Sequence, residues 1–145
     1  MNNILKSWSE FTYIFERISI VTRNIKSKTS YNNDLEYKLN SFYSSIRELN
    51  NSFINVYYYM NNNNNNTTTV DLAPFVKDNI YKEEINTLKD FNNFLVNVKD
   101  KISPCFNHII NSFSASNESV ILILINSIKN FKKNLTSLID ITNNK

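Results

Sequence analysis

Not one of the 145 residues is glycine, where ordinary usage would place about ten. Phosphate-cradling loops, the dinucleotide-binding G-x-G-x-x-G turn and the G-x-S-x-G nucleophile elbow all require glycine, so none of them can be built here. The primed turns that close short β-hairpins lose their preferred residue as well, which disfavours a meander of strands. Prolines number only two, Pro74 and Pro104, so long helices meet few obstacles. The chain is expected to be all-α.

Composition narrows the chemistry in the same direction. A single cysteine, Cys105, and a single histidine, His108, cannot form a disulfide or a Cys/His zinc site. No metal, cofactor or catalytic residue is expected, and no enzyme. The net charge of +3 is mild and scattered, which argues against a nucleic-acid partner. Trp8, Glu10, Glu16 and Arg17 interrupt any secretory h-region. The longest apolar run, Val120 to Ile125, is far short of the roughly 20 residues a spanning helix needs. The expected compartment is the cytoplasm.

Helical periodicity organises the chain. Segment one places apolar residues at Ile4, Trp8, Phe11, Phe15, Ile18 and Ile25, with Thr22 in the remaining slot. Segment two repeats steps of four and three without a miss at Leu35, Leu39, Phe42, Ile46, Leu49, Phe53, Val56 and Met60. This spacing of about 3.5 residues is that of a coiled-coil seam. As a helix it would be roughly 39 Å long. Between the two, Lys28 to Asp34 carries polar residues, marking a break or a phase shift, with Asp34 a candidate cap.

The Asn61–Asn66 run and Thr67–Thr69 read as a low-complexity loop. Asp71 then offers an N-cap and Pro74 a first-turn residue. Segment three is expected from about Leu72 past Ile102, along Leu88, Phe91, Leu95, Val98, Ile102, Cys105 and Ile109, with Pro104 kinking or ending it near 101–103. Ser112 to Asn117 reads as a loop with Ser116 or Asn117 as cap. Segment four carries Ile121, Leu124, Ile128, Phe131, Leu135 and Leu138, and its opening apolar run suggests burial on more than one face.

These segments divide the chain into a helical region over 1–60, a loop over 61–70, a second coiled-coil helix over 71–110 and a C-terminal helix over 117–142. The narrow seam of segment two favours an elongated coiled-coil subunit of three to four helices. The alternative is a compact antiparallel four-helix bundle, whose stripes are usually wider.

Several constellations bear on chemistry. Cys105 and His108 lie on adjacent helical turns, but one of them occupies a core position and nothing supports a nucleophilic pair. Glu83 and Glu84 point about 100° apart on a helix and read as a solvated face beside Lys82. Lys129, Lys132 and Lys133 form a small basic cluster, enough for peripheral membrane contact at most. Tyr57, Tyr58 and Tyr59 read as a helix end rather than an adhesive patch. Trp8, Phe11, Phe15, Phe42 and Phe53 read as core or interface, since base stacking would need interleaved basic residues.

The stretch Asp71-Leu72-Ala73-Pro74-Phe75-Val76-Lys77 resembles the D-L-D-P-Y-V-K segment of the snapin family. Upstream, Leu35, Leu39-Asn40, Phe42, Ile46 and Leu49-Asn50 look like that family's central L-x3-I-D-x-L-x3-L-x2-I-N stretch, so the resemblance covers about 33–110. Ala73 replaces the motif's second acidic residue, and 57–69 has no counterpart. Snapin-like chains are small helical subunits of the biogenesis of lysosome-related organelles complex and of BORC. The resemblance therefore implies a coiled-coil scaffold in endosome and lysosome trafficking, cytoplasmic and peripheral on those membranes. Its partners would be other small coiled-coil subunits and SNARE helices. The residues expected at those contacts are Leu39, Phe42, Ile46, Leu49 and Phe53 in segment two and Phe75, Ile80, Leu88 and Phe91 after the proline. Two other readings stand beside it: a small helical subunit of a Mediator-like or kinetochore-like assembly, and a self-contained helical bundle that binds a peptide or ligand.

Overall fold

The computed structural model describes residues 5–6, 8–28, 33–62, 70–71 and 85–143, with side chains over 12–27, 33–60 and 85–143. Four helices lie among them: α1 (Trp8–Lys28), α2 (Asn33–Asn62), α3 (Leu88–Ser112) and α4 (Ser119–Asn143). Two short strands, β1 (Leu5–Lys6) and β2 (Val70–Asp71), pair in parallel with Leu5 opposite Val70 and Lys6 opposite Asp71. Strand signals were not expected from the sequence, and a two-residue pairing leaves the chain all-α.

Hydrogen bonds and ring contacts set the directions of the helices. Lys26 Nζ donates to Asn40 Oδ1, and Phe15 meets Phe53 at 5.6 Å between centroids, so α1 and α2 are antiparallel. Lys38 Nζ donates to Ser137 Oγ at 2.8 Å, while Ser52 and Ser127 share a hydroxyl hydrogen bond of 2.8 Å, which makes α2 and α4 antiparallel. Asn92 Nδ2 donates to Ile139 O and to Thr142 Oγ1, both at 2.9 Å, and Phe106 packs on Phe131, so α3 also opposes α4. It follows that α2 and α3 run in the same direction. The chain reverses between α1 and α2 and again between α3 and α4, but not between α2 and α3.

One contiguous core fills the space between the helices. All eight seam positions of α2 are buried, from Leu35 to Met60, as are Phe15, Ile18 and Ile25 of α1 and Ile121, Leu124, Ile128, Phe131, Leu135 and Leu138 of α4. Phe131 is its hub, meeting Phe15 of α1 at 6.5 Å, Phe42 of α2 at 5.3 Å and Phe106 of α3 at 5.6 Å. Each fully buried ring of this kind is worth about 1.5–3 kcal/mol in transfer free energy. Buried polar residues are satisfied within their own helices: the hydroxyls of Thr22, Ser45 and Thr142 donate to the carbonyls of Ile18, Phe42 and Leu138 at 2.7–2.8 Å.

The seam is therefore covered by the chain's own helices, which is the bundle arrangement of the two set out above. The wider stripe a bundle needs is present: Ile14 and Val21 in α1, Ser45 and Ser52 in α2, and Phe94 and Phe106 in α3 are buried beside the seam positions.

Four local expectations change. Asp34 sits inside the first turn of α2 rather than capping it. Asp71 lies in β2, the helix start expected after it falls at 72–84, outside the described residues, and 85–87 are not helical before α3 begins at Leu88, so the segment expected from about Leu72 does not run unbroken past Ile102. Its N-cap is Thr87, whose side chain accepts from the Asp90 N–H at 3.0 Å. Pro104 does not end α3, which continues eight residues further to Ser112. Pro104 itself is exposed, and Cys105, Phe106 and Ile109 beyond it are buried, so packing outweighs the missing N–H. In the α3–α4 turn, Glu118 rather than Ser116 or Asn117 starts the helix, its carbonyl accepting from Ile121 and Leu122, while Ser116 Oγ accepts the Glu118 N–H at 3.2 Å.

Candidate functional site

The residues expected at partner contacts are mostly in the core. Leu39, Phe42, Ile46, Leu49 and Phe53 are buried under α1 and α4, and Phe91 is buried in α3. Leu88 is half-buried against the same cluster. In this structure they hold the bundle together rather than forming a surface, because the chain supplies the covering helices itself. Phe75 and Ile80 lie outside the described residues, as do Glu83 and Glu84.

Among the described residues, the large apolar side chains left outside the core are Tyr13 and Ile20 on α1, Tyr37 and Tyr58 on α2, Val96 on α3 and the adjacent pair Leu122 and Ile123 on α4. The run Val120–Ile125 spans more than one helical turn, and a single buried face cannot take all of it. Ile121 and Leu124 point inward, whereas Leu122 is 44% exposed and Ile123 56%. The expectation of burial on more than one face is thus replaced by burial on one face and an apolar pair in solvent. The length of the run was the signal that could have identified this pair.

Ile123 forms the shoulder of an open groove between α2 and α4, opposite Glu48 and Asn51 and followed by Asn126 and Asn130. Ser52 and Ser127 meet at its floor, and the Ser52 hydroxyl also reaches Glu48 O at 2.9 Å. The walls are amides with one carboxylate, a surface able to exchange hydrogen bonds with a polypeptide. Beyond the groove, Tyr59 near the C-terminal end of α2 interacts with Glu118. A hydrogen bond to that carboxylate holds the phenol above its ordinary pKa, aided by burial and by the charge of Glu118. Tyr58 projects into solvent, while Tyr57 and Tyr59 pack against the core.

The remaining candidates separate. Cys105 is fully buried, and burial pushes its thiol far above the ordinary range, which leaves it un-ionised and a poor nucleophile. His108 is exposed on the outer side of α3, where its carbonyl accepts from Ser112 Oγ at 2.8 Å. Lys129 and Lys133 are exposed and Lys132 is half-buried on α4. No group of residues suited to a metal ion occurs among the described residues. No described helix is long and apolar enough to cross a membrane. Compared with known proteins, the chain matches no family model, no curated protein and no solved structure.

Proposed function

We propose that this chain is a non-enzymatic interaction module: a self-contained helical bundle that docks a partner helix on its α2–α4 face. The observation that carries the reading is the pair Leu122 and Ile123, two adjacent large aliphatic side chains in solvent beside an amide-lined groove, on a helix whose other apolar residues are buried or packed against the core. A helix laid along the groove would cover this pair with its own apolar stripe. The assembly we propose is the endosome and lysosome trafficking kind that the snapin-like stretch implies, with the partner helices coming from its small subunits or from SNAREs.

The test is affinity purification of the tagged chain from its native cell, in parallel with a Leu122→Asp/Ile123→Asp variant. Small helical chains and endolysosomal adaptors recovered with the wild type and lost with the variant are the expected result. Recovery unchanged by the variant would move the docking face elsewhere, and recovery of transcriptional or kinetochore subunits would move the assembly.

A further inference from the structure

A second groove lies between α1 and α2, and its chemistry differs from the first. Glu16, Ile20 and Arg23 of α1 face Tyr43, Arg47 and Asn50 of α2 across a floor that includes Phe15 and Ile46. It encloses about 420 Å3 and continues past the shared Arg23 and Tyr43 to Lys26 and Asn40. From Thr12 to Lys26 the lining extends over roughly 21 Å of helix.

Three features of this groove are complementary to one kind of ligand. Arg23, Lys26 and Arg47 bring three cations against the single carboxylate of Glu16. Two of the cations are held in place: the Arg23 guanidinium sits 5.9 Å from the centre of the Tyr43 ring, and Lys26 Nζ is anchored on Asn40 Oδ1. At the opposite end the half-buried Asn50 lines the groove, and its Oδ1, turned inward, accepts no hydrogen bond. Buried acceptors are almost always matched, so a donor is the partner this atom calls for.

We propose that the α1–α2 groove binds an acidic peptide segment of a partner protein, its carboxylates on Arg23, Lys26 and Arg47, with the Asn50 side chain turning its amide into the groove to accept one of the peptide's N–H groups. A fully ionised phosphate carries charge but no donor for Asn50. A flat anionic bilayer would meet the exposed arginines without reaching a recessed amide. A polypeptide supplies carboxylates, N–H groups and apolar side chains for Ile20 and the Phe15–Ile46 floor together. The inference deepens the interaction-module reading and rests on it, but on a different face from Leu122 and Ile123. The two can therefore fail separately: partner recovery tests that face, and peptide titration tests this one.

The experiment is a fluorescence-anisotropy titration of a labelled Glu/Leu-rich peptide with the full chain. Saturable binding is expected, weakened roughly tenfold by Arg23→Glu/Arg47→Glu and measurably by Asn50→Leu. The pair Lys129→Glu/Lys133→Glu makes the same change in net charge elsewhere and should leave the affinity as it was. Helicity of each variant is checked by circular dichroism, and Arg23→Gln/Arg47→Gln replaces the charge reversal if the latter unfolds the chain. Absence of saturable binding overturns the proposal. So does an equal loss in both charge-reversed pairs, which would reduce the effect to net charge. Arginine-dependent competition by inorganic phosphate or by phosphatidylserine vesicles, with Asn50→Leu silent, would assign the groove to phosphate or membrane instead.

Discussion

Phe106 stands edge-on to Phe131, their ring centroids 5.6 Å apart and their planes at 87°, which fixes α3 against α4 at the centre of the core. The arrangement places the positive edge of one ring on the face of the other, a geometry worth about 0.5–1.5 kcal/mol beyond burial. Phe42 and Phe15 approach the same Phe131 ring from α2 and α1. Phe131→Ala should therefore destabilise the chain by about 3–5 kcal/mol. Urea unfolding followed by helical ellipticity measures this, and a loss below about 1 kcal/mol would mean the ring is not a shared contact.

Pro104 lies inside α3 and is exposed, so its substitution removes no core contact. Pro104→Ala restores an N–H for the Asp100 carbonyl one turn earlier and relieves the ring's clash with it. Stability should rise by about 1–3 kcal/mol, read as a higher midpoint in thermal unfolding. A fall would show that the buried positions of Cys105 and Phe106 depend on a backbone distortion at the proline.

At the start of α3, Thr87 Oγ1 accepts the Asp90 N–H at 3.0 Å. Thr87→Ala should cost about 1 kcal/mol, and Thr87→Ser, which keeps the acceptor, only a few tenths. Equal losses in the two variants, measured by denaturant midpoints, would assign the effect to the methyl group rather than to the cap.

The Cys105 thiol titrates above its ordinary value of 9.0 because burial disfavours the thiolate. Below that value both folded and unfolded chains carry the neutral thiol, and it contributes no pH dependence. Above it the unfolded chain ionises and the folded chain does not, so stability falls as pH rises. The slope from this one group approaches about 1.4 kcal/mol per pH unit. Tyr59, raised from 10.0, acts with the same sign at higher pH. Unfolding midpoints taken from pH 8 upward test this, and Cys105→Ala should flatten the first part of the fall.

Legibility in the sequence followed the range of the physics involved. The eight positions from Leu35 to Met60 are all buried because spacing of four and three selects one face of a helix, a local property. Whether that face meets another molecule or this chain's own α4 is decided across roughly 80 residues, and periodicity carries no such information. The continuation of α3 past Pro104 was hidden for the same reason: the proline's local cost is readable, whereas the burial of Cys105, Phe106 and Ile109 that outweighs it is not. The cap at Thr87 could have been found, since Thr87-Leu88-Lys89-Asp90 has the Ser/Thr-x-x-acid pattern of a helix start. Leu122 and Ile123 were visible as residues but not as a surface. Asn50 gave no signal, because an unmatched acceptor exists only once the surrounding helices are in place.

The hub at Phe131 also sets an order of events during synthesis. Phe42 is made roughly 90 residues before the ring that covers it. At ordinary elongation rates of 5–20 residues per second, the seam of α2 waits roughly 5–20 s for α4 to emerge. Over that interval the nascent chain offers a long apolar stripe to whatever is near the ribosome. Holdase chaperones should engage this protein co-translationally and release it late, when the fourth helix arrives.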